Sequence, residues 1–302
     1  MPLVPMRSIL EHARTRHYAV GYFESWNMES ILSVIDAAER TASPVIIGFG
    51  GMFLGNPQRA ATENIAHYGA LGRAVAEASS VPTSLLLNEA DQVSMLIKSL
   101  NSGFNAVMYQ DPAASFMDTV ATTRYLTRTA HYLGADVEAE VGELPHANIA
   151  TDSVHGGSLT DPEQAAYFVE QTGIDALAVA IGNVHLLENG KSSLNFDLVE
   201  QIKRLVSIPL VLHGGTGICE EDIKHAIDLG MCKINVGTSL KRTCLKYMQQ
   251  YLDENDLMKT DPHDVVGRGG PKDILTGARE AMSEEVVCYI KIFGCENQAK
   301  YW

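Results

Sequence analysis

The chain has 302 residues, of which 46% are hydrophobic and 20% are charged, and its formal net charge is −14 with a pI of about 5.1. A chain of this length forms either one large α/β barrel or two ordinary domains. The acidic excess argues against a nucleic-acid partner or an anionic membrane surface, since both require a basic face. The composition is typical of a soluble enzyme.

Five cysteines are present, and no two of them have CxxC spacing. The odd number and the irregular spacing favour reduced thiols over a disulfide framework or a zinc knuckle. The first twenty residues carry scattered charges and lack the apolar core of a signal peptide, and no later segment is apolar enough to span a bilayer. We therefore expect a cytoplasmic protein.

Short apolar runs alternate with longer amphipathic runs along the chain, which is the signature of βα units repeated around a parallel sheet. The predicted strands are Tyr18–Phe23, Pro44–Phe49, Thr83–Leu87, Asn105–Tyr109, Asp136–Glu140, Ala176–Ala180, Pro209–Leu212 and Cys232–Val236. The predicted helices are Met28–Arg40, Ala60–Ser79, Asp91–Ser99, Ala114–Leu133, Pro162–Gln171, Leu194–Leu205, Glu220–Leu229 and Leu240–Leu252.

Eight such units match the size of a TIM barrel, roughly 250 residues, and the run Asp273–Phe293 adds a C-terminal helix. An open doubly wound sheet is the competing fold, but the GxGxxG motif that usually follows its first strand is missing. We predict a TIM (β/α)8 barrel with an extra C-terminal helix, forming one domain over residues 1–302.

The ends of the predicted strands carry polar side chains or glycines. They include Glu24, Asn88, Glu89, Glu140, His185 and His213. Turns require some of these residue types, but two histidines and several carboxylates on one rim exceed that requirement. Because TIM barrels carry their active sites at the C-terminal ends of the strands, this rim is the predicted active site.

His185 and His213 follow the adjacent sixth and seventh strands, so their imidazoles are predicted to meet over the barrel mouth. With Glu140 or Glu89 they form a two-nitrogen, one-oxygen ligand set that suits Zn²⁺, or Mn²⁺ or Fe²⁺ in a more open geometry. A metal here would polarise a carbonyl and stabilise an enediolate. The alternative for either histidine is a hydrogen-bonded core residue.

Small and polar residues follow the seventh and eighth strands, at loops where TIM barrels often bind phosphate. They are Gly214, Gly215, Thr216, Asn235, Gly237 and Thr238. Lys241 and Arg242 begin the next helix and either add positive charge to this site or face solvent. The glycines alternatively serve only to turn the chain.

The segment Gly142–Thr160 is long for a βα loop and rich in glycine, serine and polar residues. Long loops within a compact domain are usually lids or binding loops. Plain disorder is the alternative.

Together the motifs resemble those of the class II fructose-/tagatose-bisphosphate aldolases. The matching stretches are PVII, VEAEVG, TGIDALAVAIGNVH, PLVLHGGTGI and KINVGT, which span nearly the whole chain. The resemblance implies a metal-dependent lyase with His185 and His213 as metal ligands and Glu140 as an alternative ligand. It also implies that the glycine, threonine and asparagine residues after strands seven and eight hold the substrate phosphate, and that the chain forms a homodimer or homotetramer. The glycine of NVGT, Gly237, resembles the tagatose-type branch.

The departures from the family pattern concentrate at the positions that carry out the chemistry in the family. Asn88 stands at the position of the acid/base aspartate, and Glu89 at that of the third metal-binding histidine. Glu24 replaces a substrate-contacting asparagine, Leu186 replaces a glycine after the ligand histidine, and the loop has no glutamate near Asn148. An amide cannot donate and recover a proton as a carboxylic acid does.

Two functions are compatible with this pattern. The favoured one is a metal-dependent enzyme that cleaves or enolises a phosphorylated sugar or keto compound, with Glu24 or Glu89 taking over proton transfer. The other is a catalytically silent relative that binds sugar phosphate or assists a partner subunit. The enzyme is favoured because complete loss of catalysis would not preserve His185, His213, Glu140 and the phosphate-binding residues together.

Overall fold

A computed structural model describes residues 2–148, 153–155, 157–183 and 194–302. Eight parallel strands form a closed barrel in the order β1-β10-β9-β8-β5-β4-β3-β2. These are β1 (Val20–Ser25), β2 (Val45–Gly50), β3 (Thr83–Ala90), β4 (Ala106–Tyr109), β5 (Asp136–Val141), β8 (Ala176–Val179), β9 (Leu210–Leu212) and β10 (Met231–Val236). The TIM barrel and all eight predicted strands are confirmed, with strand boundaries that differ by up to three residues.

Helices surround the barrel. They are α1 (Met6–Arg16), α2 (Met28–Arg40), α3 (Gly51–Leu54), α4 (Ile65–Ala78), α5 (Val93–Leu100), α6 (Phe116–Tyr132), α7 (Pro162–Thr172), α8 (Phe196–Leu205), α9 (Glu220–Leu229), α10 (Thr238–Glu254), α11 (Pro262–Val265) and α12 (Ile274–Ile292). The predicted C-terminal helix is therefore present as α12, which begins after the N-cap Asp273. No helix in the described ranges is long and apolar enough to cross a membrane.

Nearly every residue of the barrel strands is buried, as expected for a sheet covered by helices outside and packed side chains inside. Local sequence sets several helix starts. Asn27 and Ser30 form a reciprocal capping box at α2, and the Asp161 side chain caps α7 with Pro162 in its first turn. Asn64 caps α4, which is why this helix begins later than the predicted Ala60.

The helix α1 was not predicted, although its apolar residues have helical spacing. Its buried face consists of Met6, Ile9, Leu10 and Ala13. The backbone N–H of Arg7 donates to Asp136 Oδ2 at 2.8 Å, at the first residue of β5. Since this is the N-terminal end of the strands, α1 covers the barrel face opposite the predicted active site.

The strand β3 runs three residues beyond its predicted end at Leu87 and so contains Asn88 and Glu89. Its pairing with β4 shifts register between Leu87 and Ala90, and Glu89 has a φ of 52°. A positive φ is uncommon for a residue other than glycine, and an irregularity in a strand re-aims the side chains next to it. The bulge thus sets the direction of the two side chains that depart from the family motif.

The predicted lid, Gly142–Thr160, is partly described. Two short strands, β6 (His146–Asn148) and β7 (Ser153–His155), pair in antiparallel fashion, and Glu143 bridges Ser158 beneath them. Residues 149–152 and 156 lie outside the described part of the chain. The described flanks form an ordered hairpin base, whereas lid function stays a prediction.

Candidate active site

A cavity of about 190 Å³ opens at the C-terminal mouth of the barrel. Most of the predicted catalytic and phosphate-binding residues line it: Glu24, Asn88, Glu89, Gly214, Thr216, Asn235, Gly237 and Thr238. Tyr22, Phe53 and Lys241 complete much of its wall. The closure of the barrel therefore brings together residues that are separated by more than two hundred positions in the sequence.

His213 lies beside this cavity and is fully buried among carboxylates. Its Nε2 is 2.9 Å from Glu138 Oε1, and its Nδ1 is 3.0 Å from Glu140 Oε2 and 3.5 Å from Glu89 Oε1. Burial alone would lower the pKa of His213, but the hydrogen bonds and charges of Glu138 and Glu140 raise it to about 10. In the absence of another cation the imidazole is therefore protonated at neutral pH.

Glu138 links His213 to a second buried cation, Lys233. The Lys233 Nζ is 3.0 Å from Glu138 Oε1, 2.9 Å from Glu138 Oε2 and 2.5 Å from Asn235 Oδ1. Burial would raise the pKa of Glu138, but Lys233 and His213 overcome this effect and hold that pKa below its usual range. Glu138 is thus an ionised carboxylate that fixes the orientation of the His213 ring.

The predicted metal ligands are only partly brought together. In the described ranges no three His, Cys, Asp or Glu side chains surround a common metal position. His185 lies in residues 184–193, outside those ranges, so its approach to His213 stays a prediction. Asn183, two residues before it, donates from Nδ2 to the His213 carbonyl at 2.9 Å and ties the end of β8 to the residue that follows β9.

The donors that are present fit a divalent cation. Oε1 of the buried Glu140 has no hydrogen-bond partner among the described residues, while its Oε2 lies 3.0 Å from His213 Nδ1. Glu140 and Glu89 both face Nδ1 of His213, while Glu138 holds the opposite ring nitrogen, as outer carboxylates do for metal-bound histidines. A cation held here would take the place of the proton that His213 shares with these carboxylates.

The residues predicted to bind phosphate lie around the ends of β9 and β10. We call the five that line the cavity the cradle: Gly214, Thr216, Asn235, Gly237 and Thr238. Gly214 has a φ of 63°, which glycine adopts without strain, and Gly237 is the N-cap of α10. Thr216 and Thr238 also line the cavity. Gly215 does not: its N–H donates to the Asn235 carbonyl at 3.1 Å, and a Cβ at this position would lie 2.6 Å from Ile234 Cγ2. Gly215 therefore allows close packing of the loop on β10.

Glu24 forms an ion pair with Lys241 across the wall of the cavity. Burial of the Glu24 carboxyl raises its pKa, and the Lys241 ammonium opposes that shift. The Lys241 Nζ also lies 4.0 Å from the centre of the Phe53 ring, in cation–π geometry. Lys241 is therefore directed at the cavity, as one of the two sequence alternatives proposed.

Asn88 and Tyr22 present unpaired polar atoms at the cavity. Asn88 Oδ1 and the Tyr22 hydroxyl are buried and have no hydrogen-bond partner among the described residues. Burial and the neighbouring Glu24, Glu89 and Glu138 charges raise the pKa of Tyr22 well above its ordinary value, so its hydroxyl is neutral. Because buried polar groups are nearly always satisfied, these atoms are suited to a polar ligand.

Tyr22, Glu138 and Lys233 belong to this site but were not among the predicted site residues. Lys233 carried a detectable signal, since a lysine in the buried strand MCKINV requires a buried acidic partner. Glu138 alternates with Glu140 along β5, and both lie on the interior face of the barrel. Tyr22 carried no signal, because aromatic residues are common in buried strands.

Comparisons with known proteins give matches over nearly the whole chain. The family model for class II fructose-bisphosphate aldolase matches residues 4–298. The uncharacterized protein YdjI of Escherichia coli (strain K12) is 35% identical over 288 residues, covering 95% of this chain and 96% of that protein. A "Probable fructose-bisphosphate aldolase" of Bacillus subtilis (strain 168) is 35% identical over 305 residues, covering 99% of this chain and 100% of that protein.

The fold also matches that of a solved structure. The X-ray crystal structure of the YdjI aldolase from Escherichia coli K12 superposes with a TM-score of 0.81 at 33% identity, and covers 98% of this chain and 99% of that one. The match thus includes the barrel, the α12 helix and the strand ends that carry the site. The chain belongs to the class II fructose-bisphosphate aldolase family.

Proposed function

We propose that this protein is a metal-dependent carbon–carbon lyase that performs retro-aldol cleavage, or related enediolate chemistry, on a phosphorylated sugar or keto compound. The observation that carries the proposal is the joint presence, at one barrel mouth, of a histidine–carboxylate cluster and a glycine- and threonine-lined cradle. Membership of the class II aldolase family supports the reaction type.

His213, Glu140, Glu89 and His185 are the residues proposed to hold a divalent metal, most simply Zn²⁺, with Mn²⁺ or Fe²⁺ as alternatives. Bound there, the metal would act as a Lewis acid on the substrate carbonyl and favour an enediolate. Glu138 orients the His213 ring through its 2.9 Å contact with Nε2. Lys233 keeps Glu138 ionised, and so supports this orientation from beneath.

The remaining residues bind the substrate and move protons. Thr216, Gly237 and Thr238 are proposed to hold the phosphate, with the N-terminus of α10 directed at it. In cleavage a base removes the proton of the hydroxyl on the carbon β to the carbonyl, the bond between the α and β carbons breaks to release an aldehyde, and the remaining enediolate takes up a proton at the α carbon. Glu24 and Glu89 are the carboxylates on the cavity wall available for that transfer, because Asn88 is restricted to hydrogen bonding.

The second candidate is a catalytically silent sugar-phosphate-binding relative or a non-catalytic partner subunit. The observation that favours it is Asn88, an amide where the resemblance places the acid/base. Both candidates use the cradle, whereas only the enzyme requires proton transfer and a metal.

The test is incubation of protein supplied with Zn²⁺ or Mn²⁺ with a panel of ketose 1-phosphates and 1,6-bisphosphates. Release of an aldehyde that is lost in His213→Ala supports the lyase. Binding of these compounds without cleavage, under either metal, supports the silent relative. As a further check, Asn88→Asp combined with Glu89→His should raise cleavage of bisphosphates above the parent, and equal rates would contradict the role assigned to these positions.

We also propose a homodimer or homotetramer, by resemblance to the family, and a cytoplasmic location without nucleic-acid or membrane partners. Analytical ultracentrifugation of the purified protein tests the assembly, since a single species at the mass of one 32.8 kDa chain would contradict it.

A further inference from the structure

The Glu24 carboxylate is enclosed between two glycines at the ends of neighbouring strands. A Cβ built on Gly50, at the end of β2, would lie 2.9 Å from Glu24 Oε2. A Cβ built on Gly237, after β10, would lie 3.6 Å from Glu24 Cδ and 3.7 Å from Oε1. A side chain at Gly50 would therefore crowd the Glu24 carboxylate, whereas one at Gly237 would only reach van der Waals contact with it, and Glu24 is 8% exposed as a residue.

The contacts of Glu24 place it against the phosphate cradle. Gly237 is the N-cap of α10, and Lys241 lies one turn into that helix, with its N–H donating to the Gly237 carbonyl at 3.2 Å. The Lys241 ammonium pairs with Glu24 Oε1. Thr238 lies between Gly237 and Lys241 in the sequence and lines the same cavity. A helix N-terminus, a hydroxyl and a cation here favour an anion, and Glu24 supplies one.

We propose that Glu24 is the internal counter-ion of the cradle and sets its affinity for phosphate, competing with the ligand for Lys241. The proposal rests on the function proposed above, because it takes the cradle as the phosphate site. When a phosphate binds, Lys241 exchanges its carboxylate partner for a phosphate oxygen. Glu24 thereby weakens the binding of inorganic phosphate. Ligands that make further contacts in the cavity offset the loss of the Glu24–Lys241 ion pair, so the cradle selects for them.

The negative charge of Glu24 determines the expected size of its effect on phosphate affinity. A phosphate dianion next to a carboxylate is opposed by like-charge repulsion, which is stronger in a partly buried site than in water. Glu24→Gln removes that charge, keeps the shape of the side chain and frees Lys241. We expect this variant to bind inorganic phosphate about ten-fold more tightly than the parent, since close charge pairs at such sites are worth about 1.4 kcal/mol or more and this energy equals a factor of ten.

The experiment measures binding of inorganic phosphate by titration calorimetry, at fixed pH and ionic strength, to the full chain and its variants. Glu254→Gln is the matched control: it removes the same charge from an exposed position at the far end of α10. It should leave phosphate affinity unchanged. Glu24→Asp retains the charge but withdraws it from Lys241 by one methylene, and it should show a smaller gain than Glu24→Gln.

Two further variants separate this proposal from the proposed function. Thr238→Val and Lys241→Met should each weaken phosphate binding, and the gain from Glu24→Gln should shrink in the Lys241→Met background. If Thr238→Val weakens binding while neither Glu24 variant strengthens it, the counter-ion proposal is overturned and the cradle stands. If Thr238→Val and Lys241→Met leave the affinity unchanged, the phosphate binds elsewhere and both proposals fail.

Discussion

At the scale of single residues, the barrel interior holds two cations and two carboxylates without exposure to solvent. Lys233, Glu138 and His213 are fully buried, and Glu140 is nearly so. Buried charges are tolerated only when they are paired and hydrogen-bonded, because desolvation costs several kcal/mol per ion. The alternation of charges explains how the core accommodates this set.

Removal of one member should therefore destabilise the protein strongly. We expect Lys233→Met to lower the free energy of unfolding by about 3–5 kcal/mol, because it leaves Glu138 with one buried cation fewer. The double variant Lys233→Met/Glu138→Gln should lose less than the sum of the two single variants, since no unpaired carboxylate remains. Urea unfolding of the set measures this coupling. Additive losses would show that the two side chains do not act as a pair.

Another buried carboxylate, that of Asp136 at the opposite end of the barrel, makes the stability depend on pH. Burial raises the pKa of Asp136 from 3.8 to about 6, although Arg7 opposes the shift. The folded protein therefore binds this proton more tightly than the unfolded chain does. The stabilisation from Asp136 is fully present below pH 3.8 and is lost as the pH rises through about 6.

We accordingly expect the difference in free energy of unfolding between the parent and Asp136→Asn to shift in favour of the parent as the pH falls from 7 to 4. The shift should be about 2 kcal/mol. Urea unfolding at several pH values measures it, and the difference between the two proteins cancels the titration of all other groups. A difference that is constant over this range would contradict the raised pKa.

At the scale of elements, the close approach of β2 and β3 depends on Gly48. This residue pairs with Leu86 in the register of the two strands, and a Cβ built on it would lie 1.9 Å from the Leu86 carbonyl oxygen. No rotation of a side chain relieves a clash with backbone. The strands must therefore separate if any other residue replaces Gly48.

Gly48→Ala should lower the free energy of unfolding by about 2–3 kcal/mol or more, at the upper end of the cost of overpacking, because the clash is with backbone. Gly270→Ala is the matched control, since a Cβ there would meet nothing within 4 Å. Thermal and urea unfolding compare the two variants. Equal stabilities would mean that β2 and β3 have room to move apart.

At the scale of the whole molecule, α12 packs against both an early helix, α2, and a late helix, α10, of the barrel wall. Arg279 of α12 donates two hydrogen bonds, of 2.5 and 2.7 Å, to Asp36 of α2. Ala278 and Met282 of α12 form a small apolar cluster with Cys244 of α10. These contacts lie beside the meeting of β1 and β10, where the barrel closes. The same closure brings Glu24 to Lys241.

The proposed metal ligands come from separate parts of the barrel, since Glu89 lies in β3, Glu140 in β5 and His213 directly after β9, so a metal here would depend on barrel closure. We expect protein purified without a chelator to carry close to one divalent metal per chain, and His213→Ala to lose it. Glu89→Ala should lower the content if Glu89 is a ligand. Elemental analysis by mass spectrometry measures all three, with circular dichroism to verify folding. Full metal content in His213→Ala would overturn the ligand assignment.

Much of the fold followed from local pattern. The alternation of apolar strands and amphipathic helices predicted eight βα units, and α2 and α9 have the predicted limits. The ends of the predicted strands also indicated the rim on which Glu24, Asn88 and Glu89 lie. Such features are accessible because hydrophobic periodicity, helix caps and turn residues act over a few neighbouring positions.

The sequence by itself determined the barrel, the order of its units and the residue types at the strand ends. Only the tertiary structure decided which of these residues meet: Glu138 with Lys233, 95 positions apart, and Glu24 with Lys241, 217 positions apart. It also decided that Glu89 takes a positive φ at the β3 bulge. The physical reason is that charge pairing, burial and strand register depend on side chains brought together by barrel closure, which no local pattern encodes.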